Sequence, residues 1–178
     1  MITIDEFRKM DGRIRFTPIG AIRLVVGVNT HYHFYSDKMP LVLIDNMHTH
    51  PFSFKSTVLK GGIQNQVYSY EESTEDAEYN LRSRGWPIRT PMKIIHPHVS
   101  IKKMLSFDTY EGETYNIDYS IMHRVEQLTP KLITFIEGSE DTADVFFIMK
   151  KGKNYTEEEL FHLKSRKECW EIVEYTLA

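Results

Sequence analysis

Short runs of alternating apolar and polar residues cover most of the chain, and helical spacing is confined to its two ends. The runs are bounded by Gly, Pro, Asn and Asp, which commonly flank strands. We predict strands at residues 13–17, 22–28, 31–35, 41–44, 55–59, 63–70, 91–95, 99–106, 115–118, 120–126, 131–137 and 144–149. This many short strands predicts a mainly β sandwich or barrel, in one domain spanning residues 1–178.

Capping boxes predict a short helix at each end of the chain. Thr3 with Glu6 starts the first helix, which should end near residue 11, and Thr156 with Glu159 starts a second helix over residues 155–178. The second helix either docks on the barrel or pairs with another copy in a homodimer. Its apolar stripe consists of Leu160, Leu163, Trp170, Val173 and Leu177.

Residues 71–90 interrupt the strand pattern. Their first six residues are acidic or polar, and Arg82, Arg84 and Arg89 follow around Trp86 and Pro87. We predict an insertion between the two halves of the barrel. It is either a solvated connector or a lid whose arginines meet an anionic ligand.

Composition narrows the functional classes. The 178 residues are 41% hydrophobic and 26% charged with a net charge of -3, which is typical of a globular domain and disfavours general nucleic-acid binding. A single cysteine, Cys169, excludes a disulfide framework and a cysteine zinc cluster, and it suits a reducing compartment. The most apolar stretch, residues 19–28, is interrupted by Arg23 and is about half the roughly 20 residues of a membrane span. With no signal-peptide pattern in the first ten residues, we expect a cytoplasmic protein without a membrane partner.

Six of the eight histidines form three His-x-His pairs. Residues i and i+2 of a strand share a face, so each pair in an extended segment places two imidazoles side by side. His48 and His50 form the best candidate pair for a metal, and Pro51 should end their strand. A third ligand is required, and His123, in a β-like run beyond residue 90, is the natural choice. The alternative is a set of hydrogen-bonded core histidines.

The other two pairs are weaker candidates. His31 and His33 suit a polar strand face, and His96 and His98 flank Pro97 in what we predict to be a loop. Either pair could line the barrel mouth as a general base or ligand donor.

A strand after residues 61–62 alternates Gln64, Gln66 and Tyr68, which we predict to contact a ligand. Arg82 and Arg84 are further ligand-binding candidates. Aromatic residues are candidates for pocket walls or for core packing: Phe52, Phe54, Tyr68 and Phe135.

Two motifs resemble those of cupins. Residues 48–62 read HTHPFSFKSTVLKGG, similar to a cupin-like group with the pattern H-x-H-P-F/W-x-F-x-S-x-I/V/L-L-x-G-G. Residues 122–125, Pro130 and residues 132–138 resemble that group's second motif, so the resemblance covers roughly residues 41 to 150. It implies a double-stranded β-helix, or jelly-roll, barrel with short terminal helices. It also implies a metal held at the barrel mouth by His48, His50 and His123.

One departure from the cupin pattern bears on the chemistry. Many cupins carry a glutamate ligand soon after the His-x-His, whereas residues 51–56 contain no carboxylate. A three-histidine site similar to that of thiol dioxygenases tolerates this loss. The resemblance thus implies an enzyme acting on a small polar molecule, either an oxygenase with Fe(II) or an isomerase or hydrolase with Zn(II), Mn(II) or Ni(II). The alternative is a non-catalytic barrel that binds a small molecule, with a nucleotide-type signal as one candidate.

Overall fold

Two antiparallel sheets of six strands each build the part of the protein that the structure describes. The computed structural model describes residues 2–10, 12–17, 20–39, 47–85, 92–140, 142–152 and 164–178. These residues form helices α1 (Ile4–Lys9) and α2 (Arg166–Leu177). Their strands are β1 (Arg13–Thr17), β2 (Ala21–Gly27), β3 (Thr30–Ser36), β4 (Met47–His48), β5 (Phe54–Lys60), β6 (Gly62–Glu72), β7 (Tyr79–Arg84), β8 (Lys93–Tyr110), β9 (Thr114–Ile117), β10 (His123–Gln127), β11 (Lys131–Gly138) and β12 (Val145–Lys150).

The sheets differ in closure. The first sheet is open, with the strand order β1-β2-β3-β11-β5-β9. The second has the order β10-β4-β12-β7-β8-β6, and β10 also pairs with β6, so this sheet closes into a barrel. The predicted mainly β jelly-roll fold with short terminal helices is confirmed.

Both helices cover one face of the first sheet. Strand β3 sends Tyr32 and Phe34 into this helix-side core, where they meet Phe7 of α1, and α2 contributes Cys169 and Val173. Because side chains alternate along a strand, His31 and His33 lie on the opposite face of β3. A second core, which includes Tyr35 and Leu132 of the first sheet and Ile63 of the second, joins the two sheets on that side.

The helix starts are set by capping boxes. The predicted reciprocal pair of Thr3 and Glu6 is confirmed at the start of α1. The predicted box at Thr156 lies outside the described residues. The described part of the C-terminal helix instead starts at Ser165, whose hydroxyl accepts from the Glu168 amide in a box that the sequence analysis missed. This helix docks on the first sheet, and the homodimer stays a prediction.

The predicted loop at His96–His98 is wrong. Both histidines belong to β8, which joins the predicted strands 91–95 and 99–106 from Lys93 onward. Pro97 is tolerated because the β7–β8 register shifts beside it, from Leu81 opposite His96 to Tyr79 opposite Val99. The predicted strand 41–44 lies outside the described residues.

The predicted insertion at 71–90 is wrong for residues Tyr79–Arg84. They form β7, an interior strand of the second sheet that pairs with both β12 and β8. Leu81 is buried in a third core with Met47, Val99 and Ile148. Strand β6 also continues through the first acidic residues, to Glu72. Residues 86–91, including Arg89 and Trp86, lie outside the described residues.

In the part of the chain described above, neither helix is long and apolar enough to cross a membrane.

Candidate metal centre

Three histidine side chains converge in the interior between the two sheets. His48 and His123 are buried, and His50 is nearly so. One potential ligand atom from each of the three lies within 4.8 Å of those of the other two. The centroids of their rings are 4.8 to 5.1 Å apart. The convergence predicted from the His-x-His pair and the distant His123 is therefore present.

Strand pairing explains why residues so distant in sequence meet. His123, the first residue of β10, lies directly opposite His48 of β4 and, on its other side, opposite Val67 of β6. Directly opposed residues project from the same face of a sheet, so the two imidazoles become neighbours.

The segment after His48 is held in place although β4 ends there. The Thr49 amide donates to the Phe146 carbonyl at 2.9 Å, and the Phe146 amide donates to the Thr49 hydroxyl at 2.9 Å. These two bonds fix the backbone between His48 and His50. The i, i+2 geometry therefore persists one residue beyond the strand.

The closest approach in the cluster is between ring nitrogens. The Nε2 atoms of His50 and His123 are 2.8 Å apart. Two nitrogens bound to one ion at about 2.0–2.1 Å would lie about 3.0–3.4 Å from each other. Small side-chain adjustments thus suffice for these two imidazoles to share an ion, so the residues present fit a divalent metal.

Asn65 defines the orientation of His123. Its Oδ1 lies 3.3 Å from the Nδ1 of His123. An amide oxygen can only accept, so Nδ1 carries the ring proton and Nε2 presents its lone pair toward His50. This is the tautomer that a metal ligand requires.

Burial keeps His50 and His123 neutral. Burial, reinforced by neighbouring His48 and His123, lowers the pKa of His50 well below its ordinary value. Burial and His48 likewise lower the pKa of His123. Both imidazoles are therefore uncharged at neutral pH, as metal ligation requires.

Aromatic side chains wall the cluster. The ring of Phe54 meets that of His50 edge-on at 4.5 Å, and Phe147 stacks on His48 at 6.3 Å. Phe52 lies beside His31, with ring centroids 6.5 Å apart. The interpretation of Phe54 as a wall agrees with this geometry, and such walls exclude water from the histidines.

The structure does not bring Gln64, Gln66 and Tyr68 to the histidines. They form a hydrogen-bonded row in which Tyr68 donates to Gln66 at 2.6 Å and Gln66 donates to Gln64 at 2.8 Å. Gln64 donates to Asp108 at the exposed end of the row. Because side chains alternate along β6, Asn65 takes the place facing His123 that we had expected these residues to hold. Ligand binding by the row itself stays a prediction.

Phe135 is also displaced from the predicted site. It packs against Tyr32, with ring centroids 4.7 Å apart, in the helix-side core. Its neighbours Thr134 and Ile136 occupy the alternate positions of β11 and lie opposite His33 and His31. The prediction of a pocket wall is wrong because Phe135 lies on the helix side of β11, away from the face that carries the interior histidines.

Arg82 lies on the same sheet face as His48. It is opposite Phe147, which is itself opposite His48, so a single row crosses the three strands β7, β12 and β4. The Arg82 Nε donates to Asn80 at 2.8 Å. Arg84 is two residues farther along this face and is buried, which lowers its pKa. Ligand binding by the two arginines stays a prediction.

The remaining histidine pairs differ in position. His31 and His33 are buried, with ring centroids 4.7 Å apart, and burial, reinforced by the neighbouring Arg23 and His48, lowers the pKa of His33 well below its ordinary value. They belong to the same interior as the cluster. His96 instead pairs with Glu72 at 3.2 Å on the half-exposed surface of β8.

Two residues near the site were not predicted. Asn65 shares a face of its strand with the apolar residues Ile63 and Val67. Arg23 interrupts the most apolar stretch of the chain. A polar residue in an apolar phase is the signal that would have identified both.

Replacing Asn65 with leucine should weaken the binding of Zn(II) by about 10–100-fold, because the proton of His123 loses its acceptor. Competition with a chromophoric chelator measures the affinity, and urea unfolding verifies that the variant is folded. Asn116→Leu, the same change at an exposed residue of β9, is the control and should bind as the parent does. If folded Asn65→Leu bound Zn(II) as tightly as the parent does, Asn65 would not orient His123 for metal binding.

No protein-family model and no curated protein matches the chain. Among solved structures, a variant of oxalate decarboxylase from Bacillus subtilis is similar at 12% identity and a TM-score of 0.39, over 70% of this chain and 27% of that one. Hydroquinone 1,2-dioxygenase from Sphingomonas sp. TTNP3 with 4-hydroxybenzoate bound is similar at 12% identity and a TM-score of 0.36, over 65% and 64%. An oxalate oxidase is similar at 11% identity and a TM-score of 0.35, over 90% and 64%. The chain thus spans less than two thirds of each of these structures.

Proposed function

We propose that this chain is a cupin-like metalloenzyme that binds one divalent ion at His48, His50 and His123 and acts on a small polar molecule. Fe(II) is the favoured ion and oxygenation the favoured reaction class. Zn(II), Mn(II) and Ni(II) are the alternatives, with isomerisation or hydrolysis as the reaction.

The observation that carries the proposal is the convergence of three imidazoles in one place, where the pKa values of His50 and His123 are lowered well below the ordinary value. Among the described residues, no carboxylate or cysteine joins this group. Three neutral ligands would leave the ion its full double charge and would leave coordination positions for other molecules.

The residues of the chain have separate tasks in this proposal. His48, His50 and His123 hold the ion, which supplies Lewis-acid or one-electron chemistry when bound. Asn65 holds the proton on the Nδ1 of His123. Phe54 and Phe147 exclude water, which strengthens every electrostatic interaction at the site.

Metal reconstitution tests the proposal. Anaerobic protein is loaded in turn with Fe(II), Zn(II), Mn(II) and Ni(II), and elemental analysis should find one ion per chain. Nitric oxide, a surrogate for dioxygen, should then give a ferrous nitrosyl signal in electron paramagnetic resonance with the Fe(II) form. Failure to hold any of the four ions would overturn the metalloenzyme, and absence of the nitrosyl signal would overturn the oxygenase.

The second candidate is a binding protein without catalysis. The observation that favours it is the presence of Arg23 and Arg82, two cationic side chains on the sheet faces that carry the interior histidines. Such a protein would hold an anionic ligand without metal, so the same elemental analysis separates it from the first. The cytoplasmic location stays a prediction.

A further inference from the structure

Arg23 carries a largely buried positive charge that no carboxylate of the described chain neutralises. Its Nη2 donates to the Nδ1 of His31 at 3.1 Å. Its Nε is buried and has no hydrogen-bond partner among the residues that the structure describes. Among the described residues, none of the ion pairs involves this guanidinium. The partner of this cation is therefore to be sought outside the described chain.

Such an arrangement costs stability. Burying a charge is unfavourable unless it is paired with an opposite one. Burial lowers the pKa of Arg23 to about 10, and the nearby cations Arg15 and Arg13 lower it in the same direction. At neutral pH the side chain is nonetheless a cation, so the unfavourable charge persists in the folded protein.

The neighbouring histidine adds a donor to the site. A guanidinium can only donate, so the Nδ1 of His31 accepts and its ring proton resides on Nε2. Burial, with His33 and the arginines, lowers the pKa of His31, which leaves it neutral. The pair therefore has N–H groups in excess and no negative charge, which is the complement of an oxyanion.

This pair belongs to the same interior as the metal centre. Arg23 of β2 lies directly opposite His33 of β3, on the face away from the helices. The rings of His31 and His33 are 4.7 Å apart, and both histidines act electrostatically on His50. Arg23 is thus joined to the three-histidine cluster by a pair of buried imidazoles.

We propose that Arg23, with His31, binds the carboxylate of a small monoanionic ligand and so anchors the substrate at a distance from the metal centre. The identification of this ligand as a substrate rests on the proposed function, whereas the anion site itself does not. Removing a dianion from water costs more than removing a monoanion, which favours a carboxylate over a phosphate dianion at this buried place.

Titration calorimetry with acetate, acetamide and inorganic phosphate tests the proposal on the full chain as purified and after treatment with EDTA. Acetate should bind in both preparations, acetamide should not bind, and phosphate should bind at least about tenfold more weakly than acetate. In Arg23→Met the dissociation constant for acetate should rise at least about tenfold. Arg166→Met, which removes an exposed arginine of α2 on the helix side of the first sheet, is the matched control and should bind acetate as the parent does.

A stability measurement separates a binding role from a structural one. If Arg23 serves a ligand, Arg23→Met should unfold at a urea concentration equal to or above that of the parent, because an unpaired buried charge is removed. Arg23→Gln, which keeps an N–H donor for His31, provides the binding test if the methionine variant does not fold, and should show the same tenfold loss. Acetate affinity within twofold of the parent in either folded variant would overturn the proposal.

This experiment distinguishes a failure of the proposed metal site from a failure of the proposed anion site. Acetate binding that disappears with EDTA would place the anion on the metal and overturn the inference while leaving the metalloenzyme intact. Tighter binding of phosphate than of acetate would overturn the carboxylate assignment. Acetate binding that depends on Arg23 in a chain that holds no metal would support the anion site and contradict the metalloenzyme.

Discussion

Replacing His123 with alanine should lower the affinity for Zn(II) by more than about 100-fold, because loss of a ligand costs more than loss of the residue that orients it. The Nε2 of His123 lies 2.8 Å from that of His50, and its ring lies 5.1 Å from that of His48. Two imidazoles alone leave the ion largely to water. Competition with a chromophoric chelator and elemental analysis measure the loss.

A histidine elsewhere in the sheet supplies the matched control for this change. His96→Ala removes an imidazole that pairs with Glu72 at the surface of β8, and it should leave Zn(II) affinity unchanged. A second readout is stability, since Zn(II) at 100 times its dissociation constant should stabilise the parent by about 2.7 kcal/mol. This increment should be absent in His123→Ala. Equal affinities in His123→Ala and the parent would show that the ion binds elsewhere.

Truncating Leu81 to alanine should lower the free energy of unfolding by about 2–5 kcal/mol. Leu81 is 2% exposed, and it packs with Met47, Val99 and Ile148 in the core of the second sheet. The truncation leaves a cavity on an interior strand that is paired on both sides. Urea denaturation followed by circular dichroism measures the change.

The same substitution at a half-exposed leucine calibrates this measurement. Leu105 of β8 is 50% exposed, so Leu105→Ala should change the free energy of unfolding by no more than about 0.5 kcal/mol. An effect of Leu81→Ala as small as that of Leu105→Ala would restore the interpretation of residues 71–90 as an excursion from the barrel.

The sequence predicted most of the strands and the His48–His50 pair because both depend on local patterns. Alternation alone located β1 at Arg13–Thr17, and the i, i+2 spacing of His48 and His50 survives even where β4 ends. The position of His123 was predicted by the need for a third ligand and by the resemblance. Its pairing with His48 is a long-range contact that no local pattern contains.

The failures have a common physical origin. Strand β7 was mistaken for part of an insertion because it follows a run of acidic and polar residues, whereas Arg82 and Arg84 lie on a face of the sheet that is only partly open to solvent. The wrong placement of Phe135 was an error of phase, and Asn65 was missed because its neighbours Gln64 and Gln66 have the opposite phase. A shift of one residue moves a side chain to the other face of a sheet, and only the pairing of strands settles that phase.

The position of His123 at the seam of the second sheet has a kinetic consequence. His50 and His123 are separated by 73 residues, and they meet only when β10 has joined both β4 and β6. Contacts between residues so far apart in sequence form late in folding, because the entropy of closing the intervening chain opposes them. The three-histidine site is therefore not yet assembled in the folding transition state, so a metal ion should not bind there. The ion should therefore leave the folding rate unchanged and slow unfolding, because it stabilises the finished barrel but not the folding transition state.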